Sequence, residues 1–155
     1  MSEPVDRRAV RARLRDWGST GARIRRLERD IREYERYVLD ARETLRSPVV
    51  TDMPRTRGSP RDMTDIIAEI QRREQLYADR VHELRLDLEE IFRRPREIDR
   101  IVDRLSENQQ RVLWERYVER RSWQIIAIRL SYDERWVRSI EERAVDAIGR
   151  KLRGQ

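Results

Sequence analysis

Asp133 is followed by Glu134-Arg135-Trp136-Val137-Arg138-Ser139. On a helix, Glu134, Arg135, Arg138 and Ser139 share one face, opposite Val137, Ile140 and Ala144. Their chemistry is hydrogen bonding. Each guanidinium offers a planar fork of donors, the carboxylate offers acceptors, and the hydroxyl offers both. Such forks suit paired acceptors like those on a guanine edge, and a carboxylate can accept from an amine such as cytosine N4. Bond-breaking chemistry has no comparable candidates. Zero cysteines exclude a thiolate nucleophile, a thiolate metal site and a disulfide framework. His82 is the only histidine, so no multi-histidine metal site and no catalytic pair can form around it. It neighbours Val81 and reads as the flank of a helix seam. No acid/base pair, phosphate loop or activated nucleophile stands out, so no enzyme, metal or cofactor is expected. Arginine is abundant: Lys151 is the only lysine among 36 basic residues, leaving 35 arginines. Two arginines on an exposed face therefore gain weight only from what positions them.

The positioning elements lie just upstream. Ser122 is a cap for a short helix with Trp123, Ile126, Ala127 and Leu130 on its apolar side. Ser131-Tyr132 makes a tight turn, and Asp133 is a good N-cap for the next helix. That helix carries its stripe at Val137, Ile140, Ala144 and Ile148, with Gly149 weakening its end. Ala127 allows the two helices to approach closely, and Tyr132 plugs the angle between them. These are the requirements of a helix-turn-helix. Ser106-Glu107-Asn108-Gln109 fits a capping box ahead of a further helix with Val112, Leu113 and Tyr117. Pro95 opens a short amphipathic helix with Ile98, Ile101, Val102 and Leu105.

The rest of the chain has another texture. Charged residues make up 43% and hydrophobic ones only 37%, too little for a large core. The apolar residues are instead spaced in heptads. Ile24, Leu27, Ile31, Tyr34, Val38, Ala41 and Leu45 form one seam. Met63, Ile67, Ile70, Glu74, Tyr77, Val81, Leu84, Leu88 and Ile91 form another, with Glu74 its one polar member. Between them, SPVVTDMPRTRGSP holds three prolines and a glycine and reads as a loop. The simplest arrangement is an antiparallel hairpin with arms of roughly 35–45 Å at ~1.5 Å per residue. The expected division is an N-terminal basic arm over 1–22, a hairpin over 23–94 (helices near 22–46 and 61–93, loop 47–60), and a helix-turn-helix domain over 95–155. In the arm, Pro4, Gly18 and Gly21 punctuate an Arg-rich stretch around a short apolar signal at Val10, Leu14 and Trp17. Arg7, Arg8, Arg11, Arg13 and Arg15 there either touch phosphate or form a solvated tail. The fold class is all-α. No apolar run reaches the length of a membrane span, and MSEPVDRRAV has no signal segment, so a soluble cytoplasmic protein is expected.

The stretch from Ser122 through Ala144 resembles region 4 of bacterial sigma factors, the module that reads the −35 promoter element. More widely, residues 17–150 look like sigma-region-4-like phage transcription regulators of the RinA/ArpU kind. Asp52-Met53-Pro54 in the loop, Arg116-Tyr117, Ser122-Trp123, Ile126-Ala127 and Leu130-Ser131-Tyr132 carry that likeness. The resemblance implies that Asp133 caps a recognition helix and that Glu134, Arg135, Arg138 and Ser139 face the major groove of double-stranded DNA. Trp136 departs from the pattern, standing where that family often has a polar or basic residue, and fits a partner contact or packing on the hairpin.

The resemblance implies a phage- or prophage-type transcription regulator in a bacterial host cell, an activator of late genes working with RNA polymerase. Residues 106–155 hold 11 basic against 8 acidic side chains, only mildly basic. Tight DNA binding by that module alone then needs dimerisation or help from RNA polymerase. The chain is too short for a complete primary-type sigma factor and shows no aromatic-rich promoter-melting segment. Two alternatives remain open: a small terminase-like DNA-packaging subunit, which also joins a helix-turn-helix to a helical oligomerisation segment, and a helical interaction protein without DNA binding.

Overall fold

The computed structural model describes residues 3–47 and 63–154. The expected loop beyond Ser47, with Asp52-Met53-Pro54, lies outside the described residues, as do the first two positions of the expected second hairpin helix. Every regular element among the described residues is helical. In chain order these are α1 (Arg7–Arg46), α2 (Met63–Arg93), α3 (Glu97–Val102), α4 (Glu107–Leu113) running on as a π turn over Trp114–Val118, α5 (Trp123–Leu130) and α6 (Glu134–Leu152). No helix among the described residues is long and apolar enough to cross a membrane.

The chain forms two compact units, residues 25–91 and residues 1–24 with 92–155. In the first, the later turns of α1 and most of α2 run antiparallel. Tyr34 and Tyr37 meet Tyr77, with ring centroids 5.9 and 5.3 Å apart, and Glu35 pairs with Arg85. Leu27, Ile31, Val38, Val81, Leu84 and Ile91 are buried, all of them heptad positions. Glu74, the polar seam residue, accepts a 2.7 Å hydrogen bond from Arg42 of the same hairpin. The seam thus meets its own carboxylate with a cation. His82 is exposed on the flank.

The second unit corrects the expectation for residues 1–22. They are not an arm outside the domain. α1 begins at Arg7, and its first turns are part of the core: Val10 and Leu14 are buried with Ile98, Val102, Leu113, Tyr117, Ala144, Val145 and Ile148. Val10, Leu14 and Trp17 recur at helical spacing, so one face of α1 is apolar and must be covered. Trp17 completes that face by stacking edge-on against Trp114 and donating a 2.7 Å hydrogen bond to Asp99. Gly18 and Gly21 are therefore not punctuation but helix-interior positions at a close crossing. A Cβ on Gly18 would stand 2.1 Å from the Tyr117 carbonyl oxygen, and one on Gly21 would stand 3.2 Å from Val118. Gly149 lies in the last turns of α6, which continues to Leu152; Val5 fills the space a Cβ would take there, at 2.3 Å.

Candidate nucleic-acid interface

Ser106 opens α4 with a complete capping box: its hydroxyl accepts from the Gln109 N–H while the Gln109 side chain accepts from the Ser106 N–H. This satisfies two backbone donors that the first turn cannot pair. Ser122 caps α5 by accepting from the Ile125 N–H, and Asp133 caps α6 by accepting from the Trp136 N–H at 2.7 Å. Between those helices Ser131 takes the left-handed conformation (φ 58°), and the Tyr132 N–H bonds back to the Ala127 carbonyl at 3.0 Å. The reversal is thus confined to Ser131-Tyr132-Asp133. A second core holds it from beneath: Val112, Ile126, Ala127, Val137 and Ile140 are buried together, with Trp123, Leu130 and Tyr132 packed on them. Ala127, which has no side chain beyond Cβ, lies in this core facing the stripe of α6.

The arrangement is a helix-turn-helix, and it leaves a defined face of α6 in solvent. Glu134, Arg135 and Arg138 are exposed and Ser139 is half-buried, on the side away from Val137, Ile140 and Ala144. Arg138 bonds Glu134 one turn earlier at 2.8 Å and sits 5.7 Å over the Trp123 ring. Arg138 thereby touches both α6 and α5. Arg135 has no ion pair or hydrogen bond among the described residues, so its donors are uncommitted. Trp136 is exposed with the Arg143 guanidinium 5.2 Å over its ring.

Residues 101–149 match the family model for sigma-70, region 4. The match covers about a third of the chain and gives this segment as a DNA-binding helix-turn-helix domain of regulatory, not catalytic, type. Neither curated proteins nor solved structures give a match to the chain.

The structure adds to this domain what the sequence left apart. Arg11 of α1 clasps Glu141 of α6 with two 2.9 Å hydrogen bonds, and the Tyr117 hydroxyl donates a third at 2.8 Å. Glu141 is only 1% exposed. A buried carboxylate requires such partners, because desolvation otherwise disfavours its charge. Burial, and then the Glu141 charge beside it, push the Tyr117 phenol well above its ordinary value, so it stays a donor. Arg7 makes a parallel bidentate pair with Asp146, also on α6. The sequence held one signal for this: Glu141 is four residues from Val137 and three from Ala144, within the apolar stripe, where a carboxylate must find a cation.

Proposed function

We propose that this protein is a sequence-specific transcription regulator of phage or prophage type, similar to the RinA/ArpU regulators, that activates late genes together with RNA polymerase in the bacterial cytoplasm. The observation that carries the DNA-reading role is the uncommitted Arg135 on the exposed first turns of α6, beyond a capped turn, within the segment matched to sigma-70 region 4. Asp133 orients the helix; Arg135 and Arg138 donate to base acceptors; Glu134 and Ser139 supply acceptor and hydroxyl chemistry on the same face. Helical interaction without DNA binding is disfavoured by that same free arginine. Partnership with RNA polymerase is supported by the size of the reading head, one helix-turn-helix among the described residues, which offers few base contacts on its own.

Mapping bound DNA across the host and phage genomes tests the reading. Occupancy upstream of late genes supports it, whereas occupancy at a single packaging site moves the protein to the terminase-like class. In the purified protein, Arg135→Ala with Arg138→Ala should cost about 1–3 kcal/mol of discrimination for each base pair read. Equal affinity for selected and scrambled duplexes in both proteins would remove base reading by α6.

A further inference from the structure

The unit that contains the helix-turn-helix is more basic than residues 106–155 alone. Over residues 1–24 and 92–155 there are 22 Lys and Arg against 14 Asp and Glu, an excess of eight. Over residues 25–91 the acids lead, 16 to 14. Part of the unit's excess is gathered in a cleft of about 660 Å³ beside α6. Arg11 and Arg15 of α1, Arg116 of the π turn, Arg120 after it and Arg138 of α6 line this cleft with Trp123. Its two carboxylates are already compensated: Glu141 is held by Arg11, and Glu142 lies 3.6 Å from Arg7.

The remaining arginines are arranged for an anion. Arg116 lies 4.4 Å over the Trp123 ring and spends one N–H on the Arg121 carbonyl, so its plane is fixed while other donors remain. Arg15 is exposed and has no ion pair or hydrogen bond among the described residues. Arg120 takes a left-handed backbone conformation (φ 54°), which glycine or asparagine adopts at less cost, yet it carries a long cation that reaches Ser19. Such a residue held against its backbone preference points to work for its side chain.

We propose that this cleft is a phosphate seat, in which Arg15, Arg116 and Arg120 hold a backbone phosphate of the same duplex whose bases α6 reads. The inference rests on the DNA-reading role of α6 and makes the first turns of α1 part of the interface. The dimensions agree with it. A helix with its side chains is about 10–12 Å across and the major groove is about 12 Å wide, so a helix lying in the groove has sugar-phosphate backbone along its flanks. Arg138 belongs both to the reading face and to the cleft, so the cleft opens on such a flank. Arginine forks match phosphate oxygens in geometry as well as charge.

The test uses the full chain with an Arg15→Gln, Arg120→Asn double variant; asparagine suits the left-handed position, so the fold is spared. Binding to a mixed-sequence duplex of about 30 base pairs is titrated across salt. The expected result is affinity lower by about tenfold at ~0.1 M salt and a log–log salt slope shallower by about 0.9 per lost phosphate contact. The loss should be equal for selected and scrambled duplexes. An unchanged slope in a normally folded variant overturns the seat. Arg135→Ala separates this from the role of α6: loss of sequence preference there with an unchanged slope in the double variant leaves base reading standing without the seat. Inorganic pyrophosphate is the second probe. If it binds the wild type and not the double variant while duplex binding is identical in both, the cleft takes free phosphate compounds and the DNA assignment is wrong.

Discussion

Arg11 and Glu141 are 130 residues apart in the chain and are joined by two parallel 2.9 Å hydrogen bonds. The pair ties the first turns of α1 to the middle of α6, the helix proposed to read DNA. Removing Arg11 leaves a buried carboxylate facing Tyr117 alone. Breaking a fully buried pair costs about 3–5 kcal/mol, but the Arg11 side chain is 34% exposed and water can partly replace it. Arg11→Ala is therefore expected to lower stability by about 2 kcal/mol in denaturant unfolding. Glu141→Gln in the same background should recover part of that loss, because a neutral amide needs no counter-charge. Additive losses in the double variant would show that the two side chains do not act as a pair.

Acid should weaken the same α1–α6 junction by a second route. The hydrogen bonds from Arg7, and after them its charge, hold the Asp146 carboxyl below its ordinary value of 3.8. A carboxyl with a lower value folded than unfolded adds stability above the ordinary carboxylate range, and this is lost as pH falls through the folded-state value. Thermal melts from about pH 6 down to pH 2 should show an acid limb that is steeper in the wild type than in Arg7→Ala. Limbs of the same steepness would assign the acid sensitivity to other carboxylates.

Gly18 and Gly21 make a paired test of the crossing between α1 and the π turn. Alanine normally favours a helix interior over glycine by up to about 1 kcal/mol. At Gly21 the new methyl meets a side-chain carbon of Val118 at 3.2 Å, which can give way, so Gly21→Ala should be near neutral. At Gly18 it meets the Tyr117 carbonyl oxygen at 2.1 Å, and a backbone must move. Gly18→Ala should then cost about 3 kcal/mol or more, read as a fall in melting temperature. A Gly18→Ala protein as stable as the wild type would place α1 further from the π turn.

These glycines show where the sequence was legible and where it was not. Ser106, Ser122 and Asp133 act on backbone within three residues of themselves, so their capping could be read locally, and the structure has each hydrogen bond. Heptad spacing is equally local. Gly18 means a turn when read alone and a close crossing only when Tyr117, 99 positions later, is beside it. The same distance hid the partner of Glu141. Composition pulled in the same wrong direction: an Arg-rich N terminus reads as an arm outside the domain, solvated or touching phosphate, although Val10, Leu14 and Trp17 already marked its apolar face. Arg15 and Arg120 carry no motif at all, and only the packing of α1 brings them to one cleft.

The oligomeric state bears directly on how the one helix-turn-helix among the described residues would achieve useful affinity. Residues 10–17 and 98–105 pack together in the core of the unit that holds the helix-turn-helix. Glu74, a polar seam residue able to fix the register of a dimer, has its arginine partner within its own chain at 2.7 Å. It therefore places no demand on a second copy. What favours a dimer is the apolar surface left on a two-helix unit: Leu39, Leu76 and Leu86 are 57%, 66% and 50% exposed. Two helices alone seldom bury enough apolar area to offset the entropy of ordering them. A second copy would cover part of that surface and link two reading heads, raising affinity through effective concentration without a new base contact. The expectation is a dimer mass at micromolar concentration in light scattering. Leu39→Glu with Leu76→Glu should halve that mass, keep the helical content, and weaken binding to a duplex carrying two half-sites much more than to one carrying a single site. A wild-type monomer that binds single and double sites alike would end the dimer reading and leave the affinity to be supplied by the phosphate seat and by RNA polymerase.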